Sequence, residues 1–386
     1  MSKLISNLNN QYRVCTNCIM DTTDSTIKFD DQGQCEYCSN YYHNILPNWH
    51  PDEKGEKEII KIFEKIKKDG KGRDHDCLIG ISGGLDSSYL VYLAKEKYGL
   101  RPLLFHVDAG WNSDISTHNI QRLVDGLDLD LYTEVVNWTE MKDLQLAFIK
   151  SQVPDIDIPQ DLVFFSSLYN YAAKNNFKYI LTGGNYSTEC VREPFEWGAY
   201  YQTDMRYVRD IHNKFGTIPL KTFPTCNIFK YKLYYRFIKG VRVVKPLDYV
   251  PFIKAEAIKQ LTDRFGWQQY QHKHHESRFT RWFEADWLPR KFGYDKRRAH
   301  LSSLILTNQL TREDALKRVA TPELNEQVLK QEFEFVARKL DLTVEELQNY
   351  FNGDNKSFKD YKNNFNLITF GTSVLQFLGI EKRAFK

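Results

Sequence analysis

The segment Ser82-Gly83-Gly84-Leu85-Asp86-Ser87-Ser88 follows the apolar run Cys77 to Ile81 and precedes Tyr89 to Ala94. A strand, a glycine turn and a helix start are therefore expected to meet there. The two glycines let backbone approach an anion with no Cβ in the way, and the first helical turn offers unpaired N–H groups and the positive end of its dipole. Ser82, Ser87 and Ser88 add hydroxyl donors. Asp86 would repel a bare phosphate, so its presence points to magnesium carried in with a nucleotide. The Walker arrangement, with a lysine after the second glycine, occurs nowhere in the chain, which argues against transfer of a terminal phosphate.

A second constellation is metallic. Cys15-x-x-Cys18 and Cys35-x-x-Cys38 are separated by sixteen residues. That spacing lets two knuckle turns bring four thiolates to the corners of a zinc tetrahedron. The short strand Thr26 to Phe29 and the hairpin Asp30-Asp31-Gln32-Gly33 fit a zinc ribbon, whose small size needs a metal in place of a core. A redox dithiol pair and an iron–sulfur site are the competing readings. Four thiolates leave no open coordination position, so the metal is expected to be structural. Cys77, Cys190 and Cys226 have no paired spacing, and Cys77 reads as a small buried residue of a strand.

The elements that must position these groups follow in order. Glu56 to Lys68 places Ile59, Ile62, Phe63 and Ile66 on one helical face and ends at Gly70-Lys71-Gly72. From Asp76 the pattern alternates: strand 77–81, helix 87–98, strand 102–107, helix 116–127, strand 131–136, helices 139–152 and 160–175, strand 178–182. That rhythm predicts a parallel sheet covered on both faces. Ligands of such sheets sit beyond the carboxyl ends of the strands, which selects the serine-rich turn, Val107-Asp108-Ala109-Gly110-Trp111, and Gly183-Gly184-Asn185-Tyr186-Ser187-Thr188-Glu189. Glu189 can equally be read as an acid in the first turn of a capped helix. Lys245 sits where a further strand end would bring it to the crevice.

Composition bounds the answer without naming it. The chain of 386 residues has room for two or three domains. Its 53 basic and 50 acidic side chains give a net charge of +3, which disfavours a dedicated nucleic-acid or membrane-surface protein, local patches aside. No apolar stretch reaches the length of a membrane span and no signal-peptide layout opens the sequence, so a cytoplasmic location is expected. Residues 272–298 depart from this evenness, with three histidines, eight Lys or Arg and six aromatics against four acids. Phe279, Phe283 and Trp287 read as the buried face of a helix. His274, His275, Glu276, Arg278, Lys296, Arg297 and Arg298 are expected to contact an anionic substrate, because such a polar cluster is costly to bury unless paired or liganded.

The serine-rich turn resembles, at every position, the SGGxDS signature of the ATP pyrophosphatase (PP-loop) superfamily. With the cysteine ribbon, His106-Val107-Asp108-Ala109-Gly110-Trp111-Asn112-Ser113 and residues 272–305, the chain is similar to the N-acetyl sugar amidotransferase family of bacterial surface-polysaccharide biosynthesis (the WbpG/PseA type), from Cys15 to about Val319. The resemblance implies an α/β fold: a parallel-sheet PP-loop (adenine nucleotide alpha-hydrolase-like) core over 76–250, an N-terminal zinc ribbon over 1–50, a linker helix over 51–75 and a helical C-terminal region over 251–386. Thr311-x-x-Asp314, Thr321-Pro322 and Thr343-x-x-Glu346 read as helix starts in that last region.

It also implies chemistry. ATP with Mg2+ would be held by Ser82, Gly83, Gly84, Asp86, Ser87, Ser88, Val107, Asp108, Gly183 and Gly184, with Asp86, Glu189, Lys245 and Arg278 as the catalytic set. Asn185 and Glu189 stand where the superfamily usually has His and Asp, which leaves their roles open. The implied reaction converts an acetamido group of an activated sugar-nucleotide to an acetamidino group through an adenylated intermediate, in the making of lipopolysaccharide O-antigen, capsule or flagellin glycan. The lone cysteines lack the Gly-x-Cys-x-Gly setting of a triad glutaminase, and position 2 is Ser2 rather than a nucleophilic cysteine. Ammonia is therefore expected from a separate glutaminase subunit, which the resemblance makes of the histidine-biosynthesis type, with or without its cyclase. A tRNA-modifying thiolase of the same superfamily, and a zinc-ribbon adaptor without catalysis, are the alternatives. The thiolase would need a cysteine pair beside the nucleotide, and no CxxC follows residue 38.

Overall fold

Periodicity two in the strands decides the architecture. In the computed structural model, which describes residues 12–270, 273 and 275–377 and, for 375–377, the backbone alone, five strands form one parallel sheet in the order β3-β2-β1-β4-β5. They are β1 (Cys77–Gly80), β2 (Pro102–Asp108), β3 (Leu131–Val135), β4 (Tyr179–Leu181) and β5 (Arg242–Val244). Leu78, Leu103, Phe105, Val107 and Ile180 point into one core, with the helices Trp138–Lys150 and Ile158–Lys174. Cys77, Ile79, Leu104, Tyr179 and Leu181 point into the other, with Glu53–Asp69, Leu85–Tyr92, Asp114–Leu127 and Lys254–Phe265. Both faces are covered, as parallel strands require.

The helix starts follow local chemistry. Asp52 accepts from the N–H groups of Lys54 and Gly55, Ser113 from Ser116, and Asn137 from Thr139 and Glu140. Thr311 caps Arg312–Ala320, and Thr343 with Glu346 closes a capping box on Val344–Phe351. Thr321-Pro322 is not a start: Thr321 ends the preceding helix, and the next begins at Glu326 behind the cap Asn325. The expected strand at Thr26 to Phe29 is reduced to a bridge between Phe29 and Cys35, although Gly33 makes its turn at φ +83°.

The C-terminal region is helical but does not keep a core to itself. Phe279, Trp282, Trp287, Phe333 and Val336 share the core of Phe148, Leu162 and Ile180. The ribbon is tied to the same region. Arg312 donates to the carbonyls of Cys15 (2.8 Å) and Cys18 (3.0 Å), and Arg298 donates to that of Ile19 (2.9 Å) and pairs with Asp21 (2.9 Å). Among the described residues no helix is long and apolar enough to cross a membrane.

Candidate functional site

The serine-rich turn leaves β1 and enters the helix Leu85–Tyr92 with Gly84 as its cap residue, so Asp86 stands in the first turn. The first N–H bonded within the helix is that of Ser88, to the Gly84 carbonyl at 3.0 Å; those of Leu85, Asp86 and Ser87 have no intrahelical partner. Gly83 has φ +79°, and a Cβ there would stand 2.5 Å from the Ser116 carbonyl oxygen. Its own carbonyl accepts from Asn119 (3.3 Å), Trp267 (3.2 Å) and Tyr270 (3.2 Å), which fixes the peptide plane of the loop. Gly183 is required for a different reason: a Cβ would meet the Asp86 carbonyl carbon at 2.8 Å.

The loop opens into a cavity of about 450 Å3 with two chemically distinct halves. Around the loop the lining is Ser82, Gly84, Asp86, Ser87, Gly183, Gly184, Glu189, Lys254 and Lys273. Lys273 Nζ stands 2.5 Å from Glu189 Oε1 and 3.7 Å from Asp86 Oδ2. Burial pushes the Asp86 carboxyl up, against the pull of Lys273. Burial likewise lowers Lys254, with Asp86 opposing. Lys245 is just behind, its Nζ 3.7 Å from where a Cβ of Gly184 would be, beside Glu189.

The far half is lined by Asp157, Asp161, Glu193, Glu284 and Lys296, with Thr280, Phe164 and Phe283 as walls. Lys296 Nζ lies 3.2 Å from Glu284 and 3.4 Å from Glu193, whose other oxygen is 3.0 Å from His300 Nε2. Asp157 accepts from Thr280 at 2.8 Å and from Gln160. Burial raises Asp157 to about 6; Asp161, exposed to the solvent of the cavity, is pushed up as well by desolvation against the cavity wall and by the charge of Asp157.

Glu276 joins the halves. A Cβ on Gly84 would meet its Oε1 at 1.7 Å, so a carboxylate lies directly against the serine-rich turn. Burial, with a contribution from Asp86, pushes it up to about 7. Its backbone is pinned: the Glu276 carbonyl accepts from Ser113 N at 2.8 Å, and Arg278 N donates to Trp111 O at 2.8 Å.

Several residues expected at the site are elsewhere. Arg278 pairs with Glu332 (2.8 Å) and stacks 3.3 Å from the Phe335 ring, outside the cavity lining, because two arginines converge on that buried acid. His275 is buried against Glu323 at 3.1 Å, and burial lowers it to about 4. Arg297 donates to the carbonyls of Arg318, Val319 and Thr321 and pairs with Asp295, and Arg298 holds the ribbon. Those arginines satisfy carbonyls that end neighbouring segments. Ser88 is buried beneath the loop and accepts from Trp267 at 3.2 Å. Val107 is in the core, and Asp108 accepts from Gly110 N (2.8 Å) and Asn112 (3.2 Å); neither lines the cavity. His274 lies outside the described residues. Conversely, Lys273, Asp157, Asp161, Glu193 and Glu284 line the cavity without a motif to announce them, and Lys254, which follows Lys245 in the sequence, lines it too.

The four ribbon cysteines are buried with their sulfurs within 4.8 Å of one another. Cys15 to Cys38, Cys18 to Cys35 and Cys35 to Cys38 are 3.8, 3.5 and 3.7 Å apart. One tetrahedral ion with metal–sulfur bonds of about 2.3 Å places its thiolates roughly 3.8 Å apart. Backbone N–H groups of Asn17, Cys18 and Cys35 point at Cys15 Sγ and that of Met20 at Cys18 Sγ, as negative sulfurs need.

Comparison with known proteins gives likenesses of three kinds. An uncharacterised protein of Methanocaldococcus jannaschii is 29% identical over 128 residues, 33% of this chain; the chain spans only 44% of that relative's length. The U34-tRNA thiolase of Methanococcus maripaludis with its 4Fe–4S cluster superposes over 79% of this chain and 82% of its own, at 13% identity and a TM-score of 0.33, too loosely to carry an argument. Residues 276–375 match the family described as LPS biosynthesis protein WbpG-like, C-terminal domain, and Glu276, Ser277, Thr280, Phe283, Glu284 and Lys296, by which this segment enters the cavity, all lie within the match.

Proposed function

We propose that the protein is the synthetase component of an ATP-dependent, AMP-forming amidotransferase that converts an acetamido group of an activated sugar to acetamidino. The observation that carries this reading is the single cavity in which a phosphate loop with Asp86 faces a wall drawn from the matched C-terminal segment. An amide carbon resists ammonia because its nitrogen feeds the carbonyl and its oxygen leaves poorly. Attack of that oxygen on the α-phosphorus of ATP expels pyrophosphate and gives an O-adenylyl imidate. Ammonia then adds to the imidate carbon, AMP departs with the oxygen, and a proton is released.

In this scheme the unpaired N–H groups of residues 85–87 and the hydroxyls of Ser82 and Ser87 take the leaving diphosphate, with Lys254 and Lys273 neutralising it. Asp86 and Glu189 would orient the magnesium that arrives with ATP. Lys296, held between Glu193 and Glu284, faces the acceptor. The cysteine spacing fits one structural zinc better than an iron–sulfur cubane, whose four thiolates ride on separate irons and stand farther apart. Zinc there would supply a cross-link where the ribbon has little core.

A separate glutaminase, of the histidine-biosynthesis type, would supply ammonia. Cys77, Cys190 and Cys226 are buried and burial raises each thiol, Cys190 to about 12 and Cys226 to about 11, so none is poised as a nucleophile. The same fact weakens the thiolase alternative, since no cysteine lines the cavity. Purified protein given ATP, an acetamido sugar-nucleotide and ammonium chloride should release AMP and a product lighter by the difference between O and NH. Absence of AMP sinks the reading; glutamine should serve only when a glutaminase is added.

A further inference from the structure

Two rows of apolar side chains lie in water on one wall of the molecule. Phe229, Leu233, Phe237 and Ile238, on and just before the helix Lys230–Ile238, are 60, 50, 61 and 74% exposed. Positions 229, 233 and 237 repeat every four residues and make one stripe. The inward side of that helix, Tyr231 and Tyr235, packs on Phe165 and Tyr169. On the helix Phe365–Phe377, Leu367, Phe370 and Val374 are 55, 69 and 40% exposed. Tyr201 links the rows: its ring is 6.1 Å from that of Phe365, and the charges of Lys232 and Arg192 act on its phenol. None of these residues lines the nucleotide cavity. Apolar exposure on this scale marks a surface with a second medium to meet.

The charges say which medium. Residues 229–240, the exposed helix and its flanks, hold Lys230, Lys232, Arg236 and Lys239 and no Asp or Glu, in a chain whose overall charge is only +3. A helix that carries an apolar stripe beside Lys and Arg fits the boundary of a bilayer rich in acidic headgroups, which offers apolar depth and one sign of charge together. We infer that this wall is an interfacial docking surface for anionic lipid, the Phe, Leu and Ile tips entering the headgroup boundary and the surrounding Lys and Arg resting over phosphates. The inference is independent of the reaction proposed above, and it concerns lying on a membrane, not spanning one.

The test is flotation of the full chain with large vesicles of equal parts phosphatidylglycerol and phosphatidylcholine, against phosphatidylcholine alone. Binding is expected to the anionic vesicles only and to be lost at high salt. The doublet Phe237→Ser with Ile238→Ser should weaken binding about tenfold or more, and Lys239→Glu about fivefold or more, with melting temperatures unchanged. No flotation at low salt overturns the inference, as does binding that both variants leave intact. If the wild type instead self-associates or retains a soluble protein and the doublet abolishes that without any lipid binding, the wall is a protein interface and the inference falls.

Discussion

The two halves of the cavity are built in opposite ways. The loop half is organised around seven consecutive residues, whose backbone N–H groups need no side chain to bind an anion, with Gly183, Gly184, Glu189, Lys254 and Lys273 set about them. The far half is assembled from four distant pieces, Asp157 to Phe164, Glu193 to Gly198, Glu276 to Glu284, and Lys296, and works entirely through side chains. One half is donor-rich and preorganised by the fold of a single turn. The other is carboxylate-rich and depends on the C-terminal helices being docked. The loop half should therefore fail outright when Asp86, the acid of the turn itself, is changed, and the far half should fail selectively.

The largest effect is expected at Asp86. Asp86→Ala should lower AMP formation by about a thousandfold or more, since on the proposed scheme it removes the group that would orient magnesium at the departing diphosphate, while circular dichroism stays native. Next is Lys296→Met, which should cost about a hundredfold in turnover yet leave the ATP Kd within about twofold, because residues without shared partners act independently. Equal loss of ATP affinity in Lys296→Met would erase the distinction between the halves. Arg278→Gln belongs with neither: it should lower stability, because the buried Glu332 is left with Arg281 as its one remaining arginine, and leave KM unchanged.

This division also explains what could be read from residues alone. The loop, the cysteine pairs and four of five strands are contiguous patterns whose chemistry is local. The segment 272–298 is dense in charge, but density does not say where each side chain ends. Arg278, Arg297 and Arg298 neutralise a buried acid and hold carbonyls of neighbouring segments, whereas Glu276, Glu284 and Lys296 reach the cavity. Lys273 was visible only as one more basic residue of that run. Asp157 and Asp161 were hidden in a helix whose apolar face dominates its pattern. The short β5 has only three residues and was legible mainly through Lys245 at its end.

The ribbon offers a sharper cut between the halves. It grips, through Arg298 and Ser302, the helix Arg297–Leu306, which begins one residue beyond Lys296, and none of the ribbon's residues lines the cavity. Removing the metal with a chelator, or Cys18→Ser, should lower the melting temperature by several degrees and raise the KM for the sugar about tenfold, with ATP affinity kept. Elemental analysis should give one metal per chain. If ATP affinity falls first, the ribbon supports the loop and the comparison is inverted.

The smallest effect separates the halves by pH. Asp157 is raised to about 6 by burial, and Asp161, enclosed by the cavity wall but exposed to the solvent the cavity admits, is pushed up towards about 7 by desolvation and by Asp157, against about 3.9 in an unfolded chain. The folded protein thus favours their protonated forms, so their contribution to stability is fully present below about pH 4 and is lost as pH rises through about 7. The melting temperature should fall across that window, and Asp161→Asn, which cannot ionise, should remove part of the fall while leaving the value at the acid end nearly unchanged. Gln160 and Thr280 donate to Asp157 in either case, so the variant tests charge rather than packing. A melting profile identical to wild type from acid to neutral pH would mean that Lys296, and the water its cavity admits, already compensate both carboxylates. The far half would then be as preorganised for charge as the loop, and the contrast between them would rest on assembly alone.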